Sequence, residues 1–197
     1  MKRILIATFT GAAIAFLWSF ISWQLLPWHQ MESFKDEAAF AESVKANAPA
    51  HGLYMLPAKE EAGPDTTALR EGPFVYAVVR PGKLEAPWKL STRLIRSYGI
   101  HLLGSLIIVL AVYRIRASRY LSRVSIGTMM GLFAGLTMTL PHGNWFELPS
   151  THVLVHVLDP LIAWTLASLC IAAIIKPPRT RRIFSSLSGP SLGSRHP

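Results

Sequence analysis

Acidic residues are scarce along most of this 197-residue sequence: outside Pro27–Leu90 only Glu147 and Asp159 occur, against 13 Lys and Arg. Charge of either sign is thin, at 16% of residues where soluble domains average about 25%. That excludes an ordinary water-soluble domain. The single cysteine, Cys170, excludes an intrachain disulfide and any Cys-pair motif. It lies inside an apolar run and reads as a small packing residue, because reactive thiols need exposure and nearby positive charge. There is no HExxH, no haem attachment sequence and no visible nucleophile–base pair, so no residue pattern points to an enzyme.

What the chain has instead is long apolar stretches. A helix needs roughly 20 such residues to cross a bilayer. Ile4–Leu26 supplies 23 uncharged residues; shorter runs follow at Ser97–Tyr113 and Val124–Leu140, and the last covers His152–Ile175. The first run follows Met-Lys-Arg, as a signal peptide would. No small-x-small site closes it, and Ala39-Phe40-Ala41 lies too far beyond, so it reads as a retained anchor. The expected fold is a membrane all-α protein, a bundle of four transmembrane helices.

Placement of the net charge of +9 fixes the expected direction. Lys2 and Arg3 precede the first run. Arg114, Arg116, Arg119 and Arg123 lie between the second and third, and Lys176, Arg179, Arg181 and Arg182 follow the fourth. Basic residues at membrane ends stay cytoplasmic, which puts both termini and the short Arg loop on the cytoplasmic side. Arg93 and Arg96 run against the rule but are outnumbered. Groups so placed are topology signals that also touch anionic headgroups, not a nucleic-acid surface. The organisation expected is a first crossing over 1–26, a periplasmic α+β insert over 27–90, three further crossings over 91–176, and a disordered basic cytoplasmic tail over 177–197.

The insert opens with Ser33-x-x-Asp36, a capping pattern, before a helix in which Met31, Phe34, Ala38 and Ala41 recur at helical spacing. HGLYMLP (His51–Pro57) and FVYAVVRP (Phe74–Pro81) are strand candidates able to pair across a polar linker. So small a unit is marginal alone and is expected to rest on the bundle or on a partner protein. Trp23, Trp28, Trp88 and Trp145 fall at the expected outer interface and read as anchors.

Small residues recur every fourth position: Gly127, Gly131 and Gly135 in the third run, Ala7, Gly11, Ala15 and Ser19 in the first, Ala163 with Ala167 and Ser168 with Ala172 in the fourth. Such ridges let helix backbones approach where lipid gives no hydrophobic drive. They predict a compact bundle; a homodimer contact through one of them is the alternative.

The remaining question is set by Ser150–Pro160, STHVLVHVLDP. With Ser150 as N-cap, His152, His156 and Asp159 share one helix face at i, i+4 and i+7. His101, His142, Glu147 and His29 are expected near the same outer depth. Three readings stay open. The face is a structural polar cluster, with His156 bonded to a neighbouring helix. It is a metal or haem site, since imidazole suits zinc, copper and iron, with His152, His156, Asp159 and His101 as candidate ligands and His101–His156 as the facing pair for haem. Or it is a proton or ion pathway, because ionisable groups in membrane helices are costly and often functional.

Trp145-Phe146-Glu147, the DPLIAW run Asp159–Trp164, the SWQLLPWH ending of the first run and the GLYMLP strand together resemble a group of small uncharacterised bacterial inner-membrane proteins. The resemblance spans most of the chain up to Lys176. It implies the same layout and brings no activity, cofactor or catalytic residue. The function expected is therefore non-enzymatic, exercised through protein or lipid contacts of the insert and bundle. The alternative is a metal- or haem-binding redox component, or a proton or ion transporter, built on the His/Asp face.

Overall fold

The computed structural model describes residues 1–58, 67, 71–82, 90–115, 117 and 119–176. The tail 177–197, Trp88, Arg116 and most of the polar linker lie outside the described residues. Four long helices dominate: α1 (Lys2–Gln24), α3 (Leu90–Ile115), α4 (Tyr120–Phe146) and α5 (Ser150–Ile174), with a short α2 (Glu37–Asn47) and strands β1 (Gly52–Leu56) and β2 (Val75–Val79) between the first two. All four long helices are long and apolar enough to cross a membrane. Their 23 to 27 residues span roughly 35–40 Å at about 1.5 Å each, against about 30 Å of hydrocarbon.

The middle two helices outrun the apolar stretches that announce them. Polarity ends a hydropathy run, but it does not end a backbone hydrogen-bond ladder. Arg93 and Arg96 sit exposed on the first two turns of α3, and α4 continues through Pro141 to Phe146. Glu147 then takes a left-handed conformation (φ 51°) and turns the chain into α5. The N-cap of α5 is Pro149, with Ser150 already helical, so the expected serine cap is not used.

Helix α5 packs along α4 on one side and α1 on the other; α1 in turn packs on α3. All three small-residue ridges are consumed in these seams. A methyl added at Gly131 would meet the Pro160 carbonyl oxygen at 2.6 Å, and one at Gly135 would meet the Val157 carbonyl oxygen at 2.7 Å. At Gly127 it would collide with Ser168 Oγ, and at Gly11 it would lie 2.5 Å from Ser105 Oγ. No larger residue fits between these backbones. Ala7, Ala15, Val109, Val112, Ala167 and Ile171 fill the core toward the end where Lys2 and Lys176 lie.

That basic end is also held by polar contacts. Arg123 is buried at 7% exposure, and its guanidinium donates to the Ala172 carbonyl (3.2 Å) and the Ala117 carbonyl (3.0 Å). Tyr120 donates to the Leu169 carbonyl at 2.8 Å. The Ala172 carbonyl lies in the last turn of α5, where the helix offers no amide partner of its own. Arg123 is thus a latch as well as a charge. The outward faces of the bundle carry Leu5, Phe9, Leu17, Ile107, Phe133 and Leu154, all exposed, as suits hydrocarbon surroundings.

Between α1 and α3 the two strands pair antiparallel, with Leu53 opposite Val78 and Met55 opposite Tyr76. Tyr76 stacks on Phe146 at 3.9 Å, seating the hairpin on the end of α4. Helix α2 starts later than the Ser33 pattern implies: Asp36 is the N-cap, accepting from the Ala39 amide at 2.9 Å. An aspartate preceding Glu37 outcompetes the serine three positions earlier because its side chain reaches the free N–H groups of the turn that forms. None of α2's residues is buried.

Gly131→Ala is expected to destabilise the solubilised protein by about 1–3 kcal/mol through overpacking, and Gly131→Leu by more. Gly99→Ala, where a methyl meets nothing within 4 Å, serves as the control. Thermal unfolding in detergent reads both.

Candidate functional site

The opposite end of the bundle gathers the aromatic and ionisable residues. Pro27 ends any continuation of α1, and the Leu26 amide bonds the Ile21 carbonyl at 3.2 Å. This leaves the Ser22 carbonyl free. Trp28, just past the turn, donates its indole N–H to that carbonyl and to Ser22 Oγ, both at 3.1 Å. The turn thereby places His29 over the end of α1, with Nε2 2.9 Å from the fully buried Ser22 Oγ. His29 lies flat on Trp23 at 3.9 Å, and its side chain is only 4% exposed.

On α5, His152, His156 and Asp159 do share a face. The two imidazoles stack at 3.8 Å, and His156 Nδ1 donates to the His152 carbonyl at 2.9 Å. His101 and His142 do the same toward Ser97 and Met138, both at 2.8 Å. A carbonyl can only accept, so each of these nitrogens carries the proton. Bonding the carbonyl four residues back is a self-contained way to place an imidazole on an apolar helix.

Asp159 is different because it needs another helix. Its Oδ1 accepts the Trp18 indole N–H at 2.7 Å, and its Oδ2 lies 3.9 Å from His29 Nε2. The carboxylate thus ties α5 to α1 and to the turn after α1. Since it attracts an N–H, it favours the proton on His29 Nε2, leaving Nδ1 as a buried nitrogen with no partner among the described residues. His29 and His156 meet edge to face at 5.4 Å. Burial pushes the His29 pKa below the usual 6.5; Asp159 opposes that shift and His156 adds to it.

The candidate ligands are distributed unevenly. His152, His156 and Asp159 come together with His29. His101 sits elsewhere, against Phe16 and Trp164. Trp164 is eight residues beyond His156, about 12 Å farther along α5, so His101 does not face His156. The lone pairs of stacked rings lie in parallel planes and do not converge. Among the described residues no three His, Cys, Asp or Glu side chains gather in a metal-holding arrangement. Beside the cluster a groove of about 770 Å³ runs between the turn after α1 and the start of α5, lined by Trp28, Met31, Leu148, Pro149, His152 and His156.

Trp18 is the member that sequence reading misses. The available signal is an indole N–H deep in an apolar helix, which must find an acceptor, in a chain with one carboxylate among its spans. Of the tryptophans read as anchors, Trp145 is 75% exposed, whereas Trp23 and Trp28 build the cluster.

No family model matches the chain, and no curated protein or solved structure shows significant similarity to it. The likeness carried by the WFE and DPLIAW runs gains no support from these comparisons.

Two outcomes follow from the cluster. Trp18→Phe removes the indole hydrogen bond to Asp159 and is expected to cost about 1–3 kcal/mol, with most of that coupled to Asp159→Ala in a double-mutant cycle. Because burial lowers the His29 pKa in the folded state, the unfolded chain binds more protons as pH falls below 6.5. The contribution is complete above that value and is lost as pH falls through the depressed folded pKa. A melting series between pH 7.5 and 5 is expected to decline, and His29→Gln to flatten the decline.

Proposed function

We propose that this is a multi-pass bacterial inner-membrane protein, both termini cytoplasmic, that acts without turnover by presenting its outer segment to a partner protein. The orientation rests on the cationic ends of α1, α3, α4 and α5 lying at one end of the bundle, since such ends stay inside. The observation that carries the docking is apolar exposure beyond the helices. Met31 is 79% exposed, Phe34 58%, Leu53 65% and Val78 71%, and α2 buries nothing of its own. At about 25 cal/mol per Å², leaving such groups in water forgoes a sizeable stabilisation that a protein surface would supply.

The charge around them selects the partner. Glu32, Asp36, Glu37 and Glu42 border Phe34 and Phe40 against only Lys35 and Lys45. That balance repels an anionic leaflet and suits a protein with an apolar patch rimmed by cations.

A photo-crosslinking residue at Phe34 or Val78 is expected to give one discrete protein adduct in cells, weakened several-fold by reversing Glu37 and Glu42 to Lys. Lipid adducts alone, or a protein adduct indifferent to the reversal, remove the proposal. In a Cys170→Ala background an impermeant thiol reagent is expected to label Ser43→Cys but not Arg119→Cys; the opposite pattern inverts the orientation.

A second reading, proton or ion handling, is favoured by one observation, the buried His29 facing Asp159. Equal proton flux into proteoliposomes for the parent and Asp159→Asn removes it.

A further inference from the structure

At the basic end a second cavity, of about 450 Å³, opens between the start of α1 and the ends of α3 and α5. Lys2, Arg3 and Lys176 line it together with Ile4, Tyr113 and Ile175. Three cations sharing one cavity repel one another. Among the described residues no acidic side chain lines the cavity to relieve them. Asp159 is held by Trp18 and Glu147 caps α4, both at the far end, and no acidic side chain follows Lys176 in the sequence. No hydrogen bond or ion pair engages Lys2, Arg3 or Lys176 among the described residues. The opposite wall is apolar, with Ile175 buried and Ile4 half-buried, and it continues into the exposed Leu5 and Ile6 on the flank of α1. Tyr113 supplies an amphipathic ring of the kind that prefers the headgroup level.

A cationic rim above an apolar wall matches a ligand with an anionic oxygen head and a hydrocarbon tail. We propose that this cavity binds the phosphodiester headgroup of an anionic phospholipid. Lys2, Arg3 and Lys176 engage the phosphate oxygens, and the acyl chains run down the α1 flank. The site rests on the four helices spanning a bilayer, but not on the partner docking at the other end.

The full chain purified in detergent is titrated with phosphatidylglycerol or phosphatidylcholine, and retained lipid is read by native mass spectrometry. Near-surface cations favour the anionic lipid cumulatively, so a preference of about tenfold or more is expected. K2Q/R3Q/K176Q brings phosphatidylglycerol to the phosphatidylcholine level. R114Q/R119Q, which removes two cations of the same end outside the cavity, leaves the preference intact. Equal retention of the two lipids, a triple variant that keeps the preference, or an equal loss in R114Q/R119Q overturns the site. So does soluble glycerol 3-phosphate competing as tightly as the lipid. If the triple variant fails to fold, each single Gln variant is read alone: a graded loss supports the site and three unchanged variants overturn it. Recovery of the chain in the soluble fraction, seen before any lipid is added, overturns the spanning reading and the site with it.

Discussion

The close approach of α4 to α5 is the constraint on which the rest of the molecule depends. Gly131 and Gly135 press directly on the carbonyls of Pro160 and Val157, with no room for a methyl between. Backbones this close gain dispersion and dipole contacts at short range, the mode of association that would serve helices in hydrocarbon. Glycine makes that range accessible. Pro160 contributes to the same seam: it frees the His156 carbonyl from its helical partner while the helix runs on through it. With α5 fixed against α4, its other side carries Ala163, Ala167 and Ile171 into the core that α1 completes.

Polar groups in a bundle this apolar need partners within the protein. Most find them locally. His101, His142 and His156 each bond the carbonyl one turn back, and Thr8, Thr128 and Thr137 do likewise through their hydroxyls. Asp159 cannot, because a carboxylate offers no proton to a carbonyl. Its partners must come from elsewhere, and Trp18 and His29 provide them. One acidic residue thereby determines how the end of α1 and its following turn sit on α5. The two ends of the bundle consequently differ in kind. The aromatic end is a closed set of rings around a carboxylate; the basic end couples a buried Arg123 latch with cations whose cavity is lined by no acid among the described residues.

Much of the layout was legible in the residues because hydrophobic length and glycine spacing are local properties. Four helices appear where four apolar runs stand, GLYMLP pairs with FVYAVV, and the glycine ridge of α4 is buried. Boundaries were less legible. Asp36 rather than Ser33 caps α2, Pro149 rather than Ser150 precedes α5, and both middle helices extend past their apolar runs. Such ends depend on which side chain reaches a free amide, not on composition. For the candidate site, the shared face of His152, His156 and Asp159 could be read directly, since helical periodicity alone sets it.

The amino-acid sequence alone determined the number of long apolar helices, the segregation of cations to their ends, and which residues of one helix share a face. Only the tertiary structure decided what those faces meet. Trp18 is 141 positions from Asp159, and no periodicity links them. His101 stands near His156 in hydropathy order but packs against Phe16 and Trp164 instead. The physical reason is that position along a helix follows from counting, whereas rotation of one helix against another follows from which small side chains let the backbones touch.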